Sequence, residues 1–310
     1  KIILLNNSGP VMLACEKTML RENRNITARH LWFLWVLALV LRAAYLILST
    51  SQMGVEQLGA YAPDSEVYLT VARHILAYDP MGDYAILRVG PGYGLIIAAI
   101  QTVFGTNPLS VIAFNVLMGS LAPVLICLLA FYLTRLRNVA LWAGLISAIS
   151  MTSLALSGNI LTDQPFFTMH VAGMVCLVKG FTNGKIRWFI ASGLLAGAAI
   201  FVRSTALFWP LLLLVIPVVI PVPKTFSSRM AMIGRVSITA GIMLALIFGW
   251  SYRNDVKHGL FTFGTNGVLT IRSCPAPSPT TITAWPRFAS LSRRTLRKPW
   301  RVNETSGMRQ

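Results

Sequence analysis

Seven stretches of this chain are apolar over close to the length of a membrane-spanning helix, and that pattern decides what the chain can fold into. They cover 31–49, 109–133, 139–157, about 160–178, 188–202, 205–222 and 236–252. A bilayer core of about 30 Å takes about 20 apolar residues to cross as a helix. Charged residues make up 12% of the chain, against roughly 25% in soluble domains, too few to cover a soluble surface of this size. A soluble globular enzyme, a disordered chain and a disulfide scaffold are excluded. The expected fold is an all-α polytopic membrane protein of about seven transmembrane helices.

An eighth apolar stretch, 88–105, is different. It opens with Arg88-Val89-Gly90-Pro91-Gly92-Tyr93-Gly94, a poor helix start, and its apolar body runs only from Leu95 to Phe104. That length suits an interfacial or re-entrant element. Loop charge argues the same way, because Lys and Arg gather in cytoplasmic loops. Residues 1–30 carry five basic and two acidic residues, so the N-terminus is expected inside. If 88–105 does not cross, Arg135 and Arg137, then Lys179, Lys185 and Arg187, then Lys224, Arg229 and Arg235 all fall on the cytoplasmic face. If it crosses, all three clusters fall outside. Seven crossings are therefore expected, with an outer loop over 50–108, and Asp64 and Asp163 on one side of the membrane.

The same bias accounts for the net charge of +17 without a nucleic-acid partner. Cys15, Cys127, Cys176 and Cys274 show no metal-binding spacing, and His30, His74, His170 and His258 are scattered. No disulfide framework or zinc site is read from them. The chain divides into a cytoplasmic segment (1–30), a membrane module (31–271) and a tail (272–310). The tail holds eight basic residues, one acid and five prolines. It reads as disordered or interfacial, or as an aberrant replacement for a lost C-terminal region.

Three groups of residues could carry chemistry. In Tyr61-Ala62-Pro63-Asp64-Ser65-Glu66-Val67-Tyr68-Leu69, Pro63 and Asp64 start a short amphipathic helix. The helix macrodipole favours a carboxylate at that end, so Asp64 serves either as a plain cap or as a functional acid. Asp163, in Thr162-Asp163-Gln164-Pro165, heads an apolar span. It either caps that span or faces a wet cavity. The third group is basic: Arg88, Arg203 at the turn between spans five and six, and Arg253-Asn254 after span seven. These either snorkel to the headgroups or bind an anionic lipid phosphate, whose oxygens a guanidinium matches. Arg42, seven residues from the outer end of span one, is expected to snorkel outward or to pair with an acid of the first loop.

Taken in order, these features resemble the C-type glycosyltransferase superfamily. More narrowly, they resemble the dolichyl-phosphate-mannose-protein mannosyltransferase relatives, including the bacterial aminoarabinose transferases of lipid A. The resemblance covers about 30–270. It is carried by Asp64-Ser65-Glu66-Val67-Tyr68, Arg88-Val89-Gly90-Pro91-Gly92-Tyr93, Thr162-Asp163-Gln164-Pro165, Gly193-Leu194-Leu195-Ala196-Gly197 leading to Arg203, and Arg253-Asn254. It implies an enzyme that moves a sugar from a polyprenyl-phosphate donor to a lipid, glycan or protein hydroxyl at the outer face, with Asp64 as general base. Glu66, Arg88, Tyr93, Asp163, Arg203, Arg253 and Asn254 would then bind substrate. No cofactor is required by the sequence, and a divalent cation at Asp163 is left open. Ser65 between the two acids fits the bacterial branch, which implies the inner membrane with the site facing the periplasm. Family members continue with further spans, whereas the pattern here stops near Thr270. A truncated inactive member and a transporter or lipid flippase are the other readings.

Overall fold

The computed structural model describes residues 26–54, 63–77, 90–219, 226–264 and 270–271. The chain separates into two units, 1–271 and 272–310; the basic tail forms the second and lies outside the described residues. The first unit is built of helices: α1 (Ala28–Met53), α2 (Pro63–Leu76), α3 (Gly92–Phe104), α4 (Pro108–Thr134), α5 (Arg137–Ala148), α6 (Met151–Ser157), α7 (Asp163–Asn183), α8 (Ile186–Val202), α9 (Trp209–Val219) and α10 (Phe226–His258). A two-residue antiparallel ladder, β1 (Phe261–Thr262) with β2 (Thr270–Ile271), follows α10. The protein is thus an all-α polytopic membrane protein. By length and apolarity, α1, α4, α7 and α10 can each cross a membrane, and α5 with α6 makes a fifth span if the bent pair is one crossing. The remaining two apolar stretches form shorter helices, 17 residues in α8 and 11 in α9.

Local chemistry sets the helix ends. Asn107 caps α4, its Oδ1 accepting from the Leu109 amide at 2.9 Å, with Pro108 in the first turn. Gly184, at φ +66°, makes the left-handed turn between α7 and α8. α8 lies between α7 and α10, and small residues let the backbones close, as membrane helices require. A Cβ on Gly173 would stand 3.2 Å from the Ala196 amide, and one on Gly193 2.9 Å from the Thr239 carbonyl. Thr239 also donates to the Phe189 carbonyl at 3.0 Å.

The expected third span, 139–157, is broken. α5 and α6 meet at a 51° bend. Gln164 Nε2 donates to the Ser153 carbonyl at 2.9 Å, and Ser157 Oγ donates to the same oxygen at 2.8 Å. The Gln164 bond ties α6, beyond the break, to the start of α7.

Two ends of the bundle can be told apart. His30 at the start of α1 meets Arg137 at the start of α5 at 2.7 Å, which places the α4–α5 turn at that end. The other end holds the starts of α4 and α7. Asn115 of α4 donates to the Asn159 carbonyl just before α7, and further along Thr168 of α7 donates to the Met118 carbonyl of α4 at 2.8 Å, so these two helices run in parallel. The C-terminus of α8 reaches this second end through the Arg203–Asp163 pair at 2.5 Å. α3 belongs wholly to it. A Cβ on Gly92 would stand 2.5 Å from the Phe201 carbonyl, so α3 begins against the last turn of α8. It finishes at Phe104, just before α4 starts at Pro108. A helix with both termini at one end, and only about 20 Å long, does not cross the bundle.

Candidate active site

The site is built where α2, α3, α4, α7 and the α8–α9 turn meet. α2 carries Asp64 in its first turn. Ser65 beside it is fully buried, and its Oγ donates to the Ile160 carbonyl at 3.1 Å. That bond brings α2 down onto the segment leading into α7. Glycine makes the approach possible from below, since a Cβ on Gly94 of α3 would stand 2.4 Å from Val71 Cγ1 of α2.

Tyr68 gathers the charged groups. It lies four residues after Asp64, on the same helical face. It lies within interaction range of Thr162, Asp64, Asp163 and Arg203. Burial is the main influence on this hydroxyl and raises its pKa above the ordinary tyrosine value, with the two carboxylates adding and Thr162 and Arg203 opposing. Tyr68 is therefore a neutral donor at physiological pH. Its ring packs edge-on against Tyr93, with centroids 5.1 Å apart.

Asp163 and Arg203 face each other across α7 and the α8–α9 turn. Arg203 Nη1 donates to Asp163 Oδ1 at 2.5 Å and reaches Thr162 Oγ1 at 3.4 Å. Their side chains are about one third exposed, 39% for Arg203 and 33% for Asp163. Arg203 Nε and Nη2 make no hydrogen bond to the described residues.

The other expected site residues are placed as follows. Tyr93 is buried behind Tyr68, its hydroxyl accepting from Asn115 Nδ2 at 2.8 Å. Glu66 is exposed and pairs along the helix surface with Arg73. Arg253 donates to Asn254 Oδ1 at 3.0 Å and covers the Trp250 ring at 4.7 Å. Asn254 is fully buried, with its amide donating to the Thr262 carbonyl at 2.8 Å. This corner adjoins the Arg203 turn, because the Phe201 ring touches both Trp250 and Phe263. Arg88 lies outside the described residues. Among the described residues, no three of His, Cys, Asp and Glu come together as a metal ligand set.

Ser65, Tyr68, Thr162 and Asn115 were not expected in the site. Asn115 is fully buried in an apolar helix, and its Nδ2 also donates to the Asn159 carbonyl at 2.8 Å. An amide within a span is itself a signal, since polar groups at that depth need a partner.

The dolichyl-phosphate-mannose-protein mannosyltransferase family model matches residues 32–250, well over half of the chain. The chain belongs to that family. It is therefore an integral membrane glycosyltransferase of the lipid-linked-sugar type. The matched region runs from α1 into α10 and includes Asp64, Tyr68, Asp163 and Arg203, while Arg253 and Asn254 fall just beyond it. No curated protein and no solved structure matches the chain.

Proposed function

We propose that the chain transfers a sugar from a polyprenyl-phosphate donor to an acceptor hydroxyl at the outer face of the membrane, with Asp64 as general base. The observation that carries this reading is the convergence on Tyr68 of one exposed carboxylate and one carboxylate–guanidinium pair. A hydroxyl is a weak nucleophile, and a positioned carboxylate can remove its proton during attack. The acceptor oxygen attacks the anomeric carbon, its proton passes to Asp64, and the bond from that carbon to the phosphate oxygen breaks. The lipid phosphate leaves as a stable anion, so the second carboxylic acid needed in glycoside hydrolysis has no counterpart here. The departing phosphate needs positive charge. Arg203 has donors that no described residue uses, with Asp163 holding the guanidinium in place. Arg88 and Arg253 are the further candidates for this role. The step requires no cofactor, and a divalent cation at Asp163 would have to displace Arg203 from the carboxylate.

Charge distribution supports the orientation. The end opposite the site carries Arg29, Arg135, Arg137, Lys179, Lys185 and Arg187 around the helix starts and turns, as cytoplasmic faces do. In a bacterial inner membrane the site would face the periplasm. Ser65 standing between the two acids matches the pattern of the bacterial branch.

The test is Asp64→Asn, which keeps shape and removes the base. Transfer from a lipid-phosphate sugar should fall by about 10² or more, with membrane insertion unchanged. Undiminished turnover would remove Asp64 from the mechanism.

A further inference from the structure

Arg42 lies in the middle of α1 and is 1% exposed. It was expected to reach outward or to pair with an acid. Instead it turns into the bundle, and its partners are neutral. Nε donates to Ser157 Oγ at 3.1 Å, Nη2 to Ser153 Oγ at 2.7 Å and Nη1 to the Ala38 carbonyl at 3.2 Å. Among the described residues no carboxylate pairs with it. A charge kept at membrane depth asks for a function and a named partner, and both partner serines lie on α6.

α6 leads directly into residues 158–162, the strap that delivers Thr162 and Asp163 to the site. The strap is tied from several sides. Asn115 binds the Asn159 carbonyl and Ser65 binds the Ile160 carbonyl. On the far side of the strap, Gln164, next to Asp163, donates to the Ser153 carbonyl. Ser153 is thus held by Arg42 from α1 and by Gln164 from α7. Space for this crossing comes from Gly119 of α4, where a Cβ would stand 2.7 Å from Gln164 Oε1, 2.8 Å from Ser157 Oγ and 2.9 Å from Arg42 Nε.

We infer that Arg42 is a positioning residue: through Ser153 and Ser157 it fixes the strap that sets Asp163 against Arg203. Charge-assisted hydrogen bonds are roughly twice as strong as neutral ones, which suits a guanidinium to hold a short broken helix that has no side-chain cap of its own. The catalytic consequence rests on the proposed role of Asp163, whereas the hold on the strap does not.

The experiment measures both. In the full chain with its four native cysteines replaced, Leu161→Cys reports on the strap and Phe104→Cys on a distant exposed site. Each is labelled with a membrane-impermeant maleimide in vesicles. Arg42→Met should raise the labelling rate at 161 by about tenfold, the effect of losing a hydrogen bond to a charged group, with no change at 104. Ser153→Ala with Ser157→Ala should do the same from the other side of the contact, so a folding defect peculiar to Arg42→Met does not blunt the test. An unchanged rate at 161, or an equal rise at both positions, overturns the proposal. In the transfer assay, Arg42→Met should add nothing to the donor-KM defect of Asp163→Asn; additive losses overturn it as well. If Asp163→Asn alone leaves transfer intact, the reading of the site fails, while the labelling result still decides the role of Arg42.

Discussion

Two arginines in this bundle meet opposite fates. Arg42 is buried and spends its donors on two serine hydroxyls and a carbonyl. Arg203 is more than one third exposed, holds one carboxylate, and keeps donors that no described residue uses. A guanidinium 1% exposed among fixed neutral acceptors is out of reach of a ligand. A guanidinium steadied by a carboxylate at the mouth of the site is preorganised for a second anion. Both are charges within an apolar chain, and their partners and exposure separate scaffold from site.

The comparison can be broken at either arginine. The larger effect is expected at the exposed one. Arg203→Met should raise the donor KM by roughly ten- to a hundredfold, in line with about 1.5–3 kcal/mol for a hydrogen bond to a charged group. Acceptor KM should stay nearly constant, and steady-state kinetics with both substrates varied would show it. A defect confined to the acceptor would move Arg203 out of the phosphate role. The smaller effect is expected at the buried crossing. Gly119→Ala puts a methyl group among Gln164, Ser157 and Arg42, and overpacking of this kind costs about 1–3 kcal/mol. Thermal unfolding in detergent should show the loss. Wild-type stability would mean that the crossing is looser than the contacts imply.

The charged members of the site were legible because an acid or arginine stands out at the end of an apolar run. Asp64, Asp163 and Arg203 were singled out this way, and loop charge gave the expectation that 88–105 stays on one side. Helical phase would have refined the first motif further. Glu66 is two residues from Asp64, about 200° around the helix, and it pairs with Arg73 on the surface. Tyr68, one turn on, shares the Asp64 face. Other features are tertiary and leave little local trace. Ser153 and Ser157 look like ordinary serines in a span until Arg42 is seen to reach them. The bend between α5 and α6 has neither proline nor glycine at the break, and the contacts that hold α6 beyond it come from α1 and α7. The glycines at 90, 92 and 94 read as a poor helix start; Gly90 takes a positive φ of 84°, and Gly92 and Gly94 lie in close contact with Phe201 and Val71.

The central claim is that Asp64 and the Asp163–Arg203 pair share one aqueous site. It is tested most directly by placing single cysteines at 64 and 163 in a cysteine-free chain and labelling sealed vesicles of known orientation with an impermeant maleimide. Both positions should react from the same compartment, and a reagent confined to the other side should reach neither. Labelling of the two positions from opposite compartments would contradict the account.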